Sequence, residues 1–175
     1  MAFGQAELMA ADDPGGAEAL LHRALTLARS ARNRFIEGVT VVSLASAQHR
    51  IGTPLAALPT FRAAIQHWLD VADQTHQITT LRNLDVLLRD LDLPVKTAQL
   101  LGGLTASHVT TYGAELAKLA AIEQWLGDEL SPYELVDART ECARFGVSEL
   151  ARWALTVIDR ISSAPSHHAP PSLGT

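Results

Sequence analysis

The sequence predicts an all-α fold: a right-handed α-solenoid of antiparallel helix hairpins, closed by a C-terminal helical cap. Three observations predict it. Pro14, Pro54 and Pro94 stand forty residues apart. Each is followed, three, seven and ten residues on, by an apolar triplet in one register: Ala17-Leu21-Ala24, Ala57-Phe61-Ala64 and Thr97-Leu101-Leu104. A period of this length marks stacked helical hairpins, none of which buries its apolar face alone. Composition agrees, since 47% of the 175 residues are apolar but only 5% aromatic. A core of Leu, Ala, Val and Ile favours helices over a sandwich or barrel.

Along the chain, residues 1–13 read as a partial or truncated repeat segment with a short helix from Gln5 to Ala11. Asp13 as N-cap and Pro14 in the first turn start a helix over Gly15–Arg32, and Asn33 closes it. The second helix spans Arg34 to Ile51 and is weakest at Gly38, Val39 and Thr40, where packing must override propensity. Gly52, Thr53 and Pro54 punctuate the next start, and the third helix runs to Ala72 with Pro59 near its beginning, where a lost donor costs little. Asp73 mirrors Asn33, and a fourth helix follows from Thr75 to Leu91. A fifth, shorter one from Pro94 is expected to stop near Gly102-Gly103, which ends the repeat region at 14–105. Residues 106–161 form the cap, with helices over about Tyr112–Leu126, Pro132–Phe145 and Ser148–Ile161; Gly127 and Gly146 serve as stops. Residues 162–175, rich in Ser, Pro and His, read as a disordered tail.

Ala57-Phe61-Ala64, Ala17-Leu21-Ala24-Leu25 and the large-then-small pair Leu44-Ala45 resemble the tetratricopeptide repeat, in an elongated form. Leu84-Asp85 departs from that pattern, because a charge replaces the small residue. A narrower resemblance rests on Asn33 to Gly38, Ala56 to Trp68, Thr75 to Leu84 and Leu126 to Ala151. These stretches resemble the C-terminal helical region of large actinobacterial signal-transduction ATPases, some of which end in a LuxR-type helix-turn-helix. The resemblance implies a detached C-terminal part of a transcriptional or signalling regulator. The ATPase and cyclase activities do not carry over, because no phosphate-binding loop occurs in the chain. Pro14 opens a second helix whose partner would need about twenty preceding residues on this pattern. Leu21 and Leu25 are therefore expected to face either the Gln5–Ala11 segment or another molecule, and the incomplete N-terminal repeat offers a route to homo- or hetero-association.

The chemistry the sequence excludes is broad. A net charge of −5 argues against a general nucleic-acid binder or a membrane-surface protein. The longest stretch without charged side chains, Thr97 to Ala114, carries glycines, threonines and His108 and does not suit a bilayer. Cys142 is the single cysteine, so no cysteine metal cluster or internal disulfide forms. His22, His49, His67, His76 and His108 show no i, i+4 pairing with one another or with a suitable carboxylate, and His167-His168 lie in the tail, so no metal site is expected. Catalytic and cofactor-binding residues are likewise expected to be none. Leu130 to Glu134 looks like the opening of a LuxR-type domain, yet the helix after Arg152 is a core helix. Four Arg against five acids between Pro132 and Ile161 would not drive phosphate contacts.

What remains is a cytoplasmic, non-enzymatic protein–protein interaction module. Its expected partner groove is lined by the first helix of each hairpin, with Val42, Ser46, His49, Arg50, Arg82, Val86 and Arg89 on the open side. Arginine forks there suit a carboxylate or an acidic peptide. The competing reading of the same residues is a solvated face whose arginines sit near helix C-termini. A truncated remnant without its own role and a LuxR-type DNA-binding regulator are the alternative functions.

Overall fold

The computed structural model describes residues 13–52, 54–107 and 114–164. Among these lie eight helices and no strand: α1 (Pro14–Ser30), α2 (Arg34–Ile51), α3 (Pro54–Asp70), α4 (Gln74–Asp90), α5 (Pro94–Ala106), α6 (Ala114–Glu129), α7 (Pro132–Ala143) and α8 (Val147–Ser163). None is long and apolar enough to cross a membrane. The expected helix over Gln5–Ala11, the Thr53 cap, His108 and the tail beyond Ala164 lie outside the described residues. α8 extends two residues into the segment read as tail.

The helix ends follow from local chemistry. Arg32, Ala72 and Asp92 take left-handed φ values of 54°, 55° and 57°. The N–H of the next residue in each case (Asn33, Asp73, Leu93) then donates to a carbonyl five residues back, at 2.9, 3.1 and 3.1 Å. This turn satisfies carbonyls that the end of a helix would otherwise orphan. Asn33 and Asp73 do double duty, because their Oδ1 atoms accept from the N–H of Ile36 and His76, both at 3.0 Å. That backbone bond is the main reason the Asp73 carboxyl lies below its ordinary range. Asp13 caps α1 by accepting from the Gly16 N–H at 2.9 Å. Ser131 and Glu134 cap α7 reciprocally, which assigns a structural role to the segment that looked like a DNA-binding opening.

Neighbouring helices pack in sequence from α1 to α5, and α8 lies against α3, α4 and α5. The main core joins Phe61, Ile65, Leu81, Leu84, Leu88 and Leu100 to Leu150, Ala154, Val157 and Ile158 of α8. A second cluster places Leu21 and Leu25 against Val41, Leu44, Ala47 and Ala64. The expected contact of the two leucines with residues 5–11 lies outside the described residues. Leu20 is partly buried beside this cluster, and Leu27, on the other side of α1, is exposed.

Two glycine expectations are corrected. α5 does not stop at Gly102-Gly103 but continues to Ala106. A Cβ on Gly102 would stand 2.2 Å from the Arg139 carbonyl oxygen, and one on Gly103 2.6 Å from the Leu150 side chain. The pair therefore lets α5 pack against the backbone of α7, rather than breaking the helix. Gly127 is likewise inside α6, with open space where a Cβ would be. Gly38 permits a third close approach: its Cβ would meet the Trp68 ring at 2.5 Å.

Candidate functional site

The open side of α2 and α4 forms a groove of about 860 Å³. The helical period decides what faces it. From α2 come Val39, Val42, Ser43, Ser46, His49 and Arg50, which recur every three or four residues and so share one face. Thr79, Asn83, Val86 and Asp90 follow the same rule on α4, and Lys118 reaches the groove from α6.

Of the residues expected from sequence, Ser46, His49 and Arg50 are together here. Arg82 and Arg89 are not part of this wall. Arg82 lines an adjoining smaller pocket, and Arg89 turns to the neighbouring Asp90, with Nη2 at 2.7 Å from Oδ1. On α4 the expected Val86 does line the groove, but the face is turned so that Asn83 and Asp90 flank it in place of Arg82 and Arg89. His49 Nε2 lies 2.9 Å from Asp90 Oδ2, a contact that ties the last turns of α2 and α4 together. Sequence reasoning missed this pair because forty-one residues separate its members.

The described lining of the groove is weakly positive. Arg50 and Lys118 face it with His49 and His76, while Asp90 is the only acid among the described lining residues and is held by His49 and Arg89. At the other end, His76 stacks on Trp68 with ring centroids 4.4 Å apart, and Phe35 meets both rings edge-on. Asp73 Oδ2 fixes His76 through Nδ1 at 2.9 Å. His67 is buried and its Nε2 bonds the Arg34 carbonyl at 2.8 Å. These histidines hold structure. His22 does have a carboxylate one turn before it, Glu18 at 3.7 Å, which corrects the reading that no histidine is so spaced. His22 is exposed, Glu18 is half-buried and accepts from Gln48, and among the described residues no group of three metal-ligating side chains exists.

Behind the groove, Asp85 is 2% exposed and its Oδ1 has no hydrogen-bond partner. Burial, reinforced by Glu123, pushes its carboxyl well above the ordinary range against the smaller pull of Arg89 and Arg139. Asp85 is the charge that replaces a small residue in the Leu84-Asp85 pair, and the structure accommodates it in full burial. Cys142 is fully buried in the main core, where desolvation first and Glu141 second push its thiol up to about 11. It is inert as a nucleophile.

Comparison of the chain with protein-family models, curated proteins and solved structures finds no match.

Proposed function

We propose that this chain is a non-enzymatic, cytoplasmic helical-repeat module that acts by holding an acidic, extended segment of a partner protein in the groove between α2 and α4. The charge balance of that groove carries the reading. Among the described lining residues, Arg50 and Lys118 face it without an opposing free carboxylate, since Asp90 is engaged by His49 and Arg89. Thr79, Asn83, Ser43 and Ser46 add hydrogen-bonding groups that suit a peptide backbone. The forty-residue recurrence of the left-handed turn at Arg32 and Ala72, and of the caps at Asn33 and Asp73, supports an elongated tetratricopeptide-like solenoid as the architecture. The motif resemblance to actinobacterial signal-transduction ATPases and LuxR-type regulators is what suggests a setting for the module in transcriptional or signalling regulation. Its role there would be contact rather than chemistry.

A fluorescein-labelled peptide of alternating Glu and Ala, titrated against the full chain by anisotropy, tests the reading. The double charge reversal Arg50→Glu with Lys118→Glu is expected to weaken binding at least tenfold, and binding to the unaltered chain is expected to fall as salt rises. Equal binding by the two proteins, or none by either, would overturn the groove assignment. An ATPase reading frame directly upstream in the same direction would support the regulatory setting.

A further inference from the structure

The groove between α2 and α4 carries two imidazoles, and a carboxylate holds each of them. His49 Nε2 lies 2.9 Å from Asp90 Oδ2, and His76 Nδ1 lies 2.9 Å from Asp73 Oδ2. A neutral ring donates its one N–H to the acid, so its other nitrogen is left to take a proton. That nitrogen, Nδ1 in His49 and Nε2 in His76, bonds no other group among the described residues. Both rings line the groove and are partly exposed, at 13% and 29%, so solvent protons reach them.

We propose that the groove is strengthened by acid: protonation of His49 and His76 tightens its hold on an acidic segment, so a partner loads as pH falls and leaves as it rises. This inference rests on the peptide reading of the groove.

The sign follows from the charges around the two rings. With neutral histidines the described lining sets Arg50 and Lys118 against Asp90; two imidazolium charges would make it four cations against one acid. Near His49 the charged groups are Arg50 on its own helix, Asp90 and Arg89 on α4, and Lys118 from α6. Glu18 of α1 is taken by Gln48, the residue before His49. Near His76 stands Asp73, while α2 and α3 present the Phe35 and Trp68 rings. Beyond Trp68, His67 bonds the Arg34 carbonyl, and Glu37 pairs with Arg29 and Arg34. Asp90, Asp73 and the electron-rich face of Trp68 favour the imidazolium forms, whereas Arg50 and Lys118 oppose them. An acidic segment laid in the groove offsets that opposition, so peptide and protons bind better together than apart. One segment can engage both rings. Asp90, which holds His49, follows His76 by fourteen positions on α4, about 21 Å at the helical rise and within reach of about seven extended residues.

The Glu–Ala peptide, carrying a rhodamine whose emission does not change with pH, is titrated against the full chain at pH 8.0 and 5.5 at equal ionic strength. Its glutamates stay largely ionised at both values. Binding is expected to tighten about fivefold or more on acidification. By linkage, a fivefold gain must appear as a rise of about 0.7 pH unit, summed over the NMR titration midpoints of His49 and His76, when saturating peptide is present. His22, which does not line the groove, is expected to keep its midpoint. His49→Gln removes part of the pH dependence, and His49→Gln with His76→Gln removes nearly all of it. Far-UV circular dichroism checks folding; if the double variant does not fold, the single variant and the NMR midpoints decide. Equal binding at the two pH values, or tightening with unmoved His49 and His76 midpoints, would overturn the acid dependence and leave the groove reading standing. No binding at either pH would overturn both.

Discussion

Asp85 makes stability depend on pH in a direction opposite to most carboxylates. Its protonation site lies well above the value near 3.9 of an unfolded aspartate, so between the two values the folded chain binds more protons than the unfolded one. Stability then falls as pH rises through that window. Asp85→Asn removes the titration, and it is expected to raise the melting temperature at pH 7, by an amount equivalent to about 1–3 kcal/mol, with the gain shrinking toward pH 4. Thermal melts of both proteins across that range check this; a constant difference would exclude Asp85 as the source. A second residue-scale effect belongs to the left-handed turns. Ala72 holds φ 55°, a conformation that costs a Cβ-bearing residue roughly 1 kcal/mol. Ala72→Gly is therefore expected to stabilise by up to about 1 kcal/mol in urea denaturation, even though it loosens the unfolded chain. The groove residues show how far such detail was legible. Ser46, His49 and Arg50 could be placed because their spacing sets one helical face. Arg82 and Arg89 could not, because a turn of α4 by less than one residue keeps Val86 in the groove but sets Asn83 and Asp90 beside it.

Helices and their starts were readable wherever a cap has a local cause. Asp13, Asn33, Asp73 and Ser131 each bond a backbone N–H three residues on, so a short stretch of sequence contains the whole interaction. Glycine was ambiguous because the same residue type serves a stop, a close approach or nothing in particular. Gly102 and Gly127 separate these cases experimentally. Gly102→Ala would drive a methyl into the backbone of α7 and is expected to cost about 1–3 kcal/mol or more, despite the better helix propensity of alanine. Gly127→Ala meets nothing and is expected to gain about 0.5–1 kcal/mol. Chemical denaturation of the two variants checks the contrast, and matching signs would contradict the helix approach described for α5 and α7.

At the scale of the molecule, α8 decides how the helices cooperate. A linear stack of hairpins can open piece by piece, since each unit touches only its neighbours. Here α8 lies on three successive helices, α3, α4 and α5, that precede it by forty residues or more. Ser148 Oγ bonds the buried Gln77 side chain, which in turn donates to the Trp68 carbonyl, and Arg62 of α3 meets Asp159 at 2.7 Å. The amphipathic pattern predicted the helix but not its berth, because a contact across ninety-seven residues leaves no local trace. Ile158→Ala is expected to cost about 2–5 kcal/mol and to lower amide-exchange protection of α3, α4 and α5 together. Leu21→Ala, in the cluster that joins α1 and α2 to Ala64 of α3, is expected to lower protection in α1 and α2 while α4 and α5 keep theirs. Uniform loss in both variants would mean that a single cooperative unit spans the chain.

Cys142 gives that question a chemical stopwatch. The chain has one thiol, wholly enclosed in the core that α8 closes, and its high protonation site leaves almost no thiolate even at mildly alkaline pH. A disulfide reagent added to the folded protein can therefore react only during excursions that lift the surrounding helices apart. When closing outpaces reaction, the labelling rate divided by that of a free thiol equals the population of the opened form. The core thus reports its own breathing with no engineered probe, and the reading belongs to the part of the molecule where α3, α4 and α5 are fastened to α7 and α8.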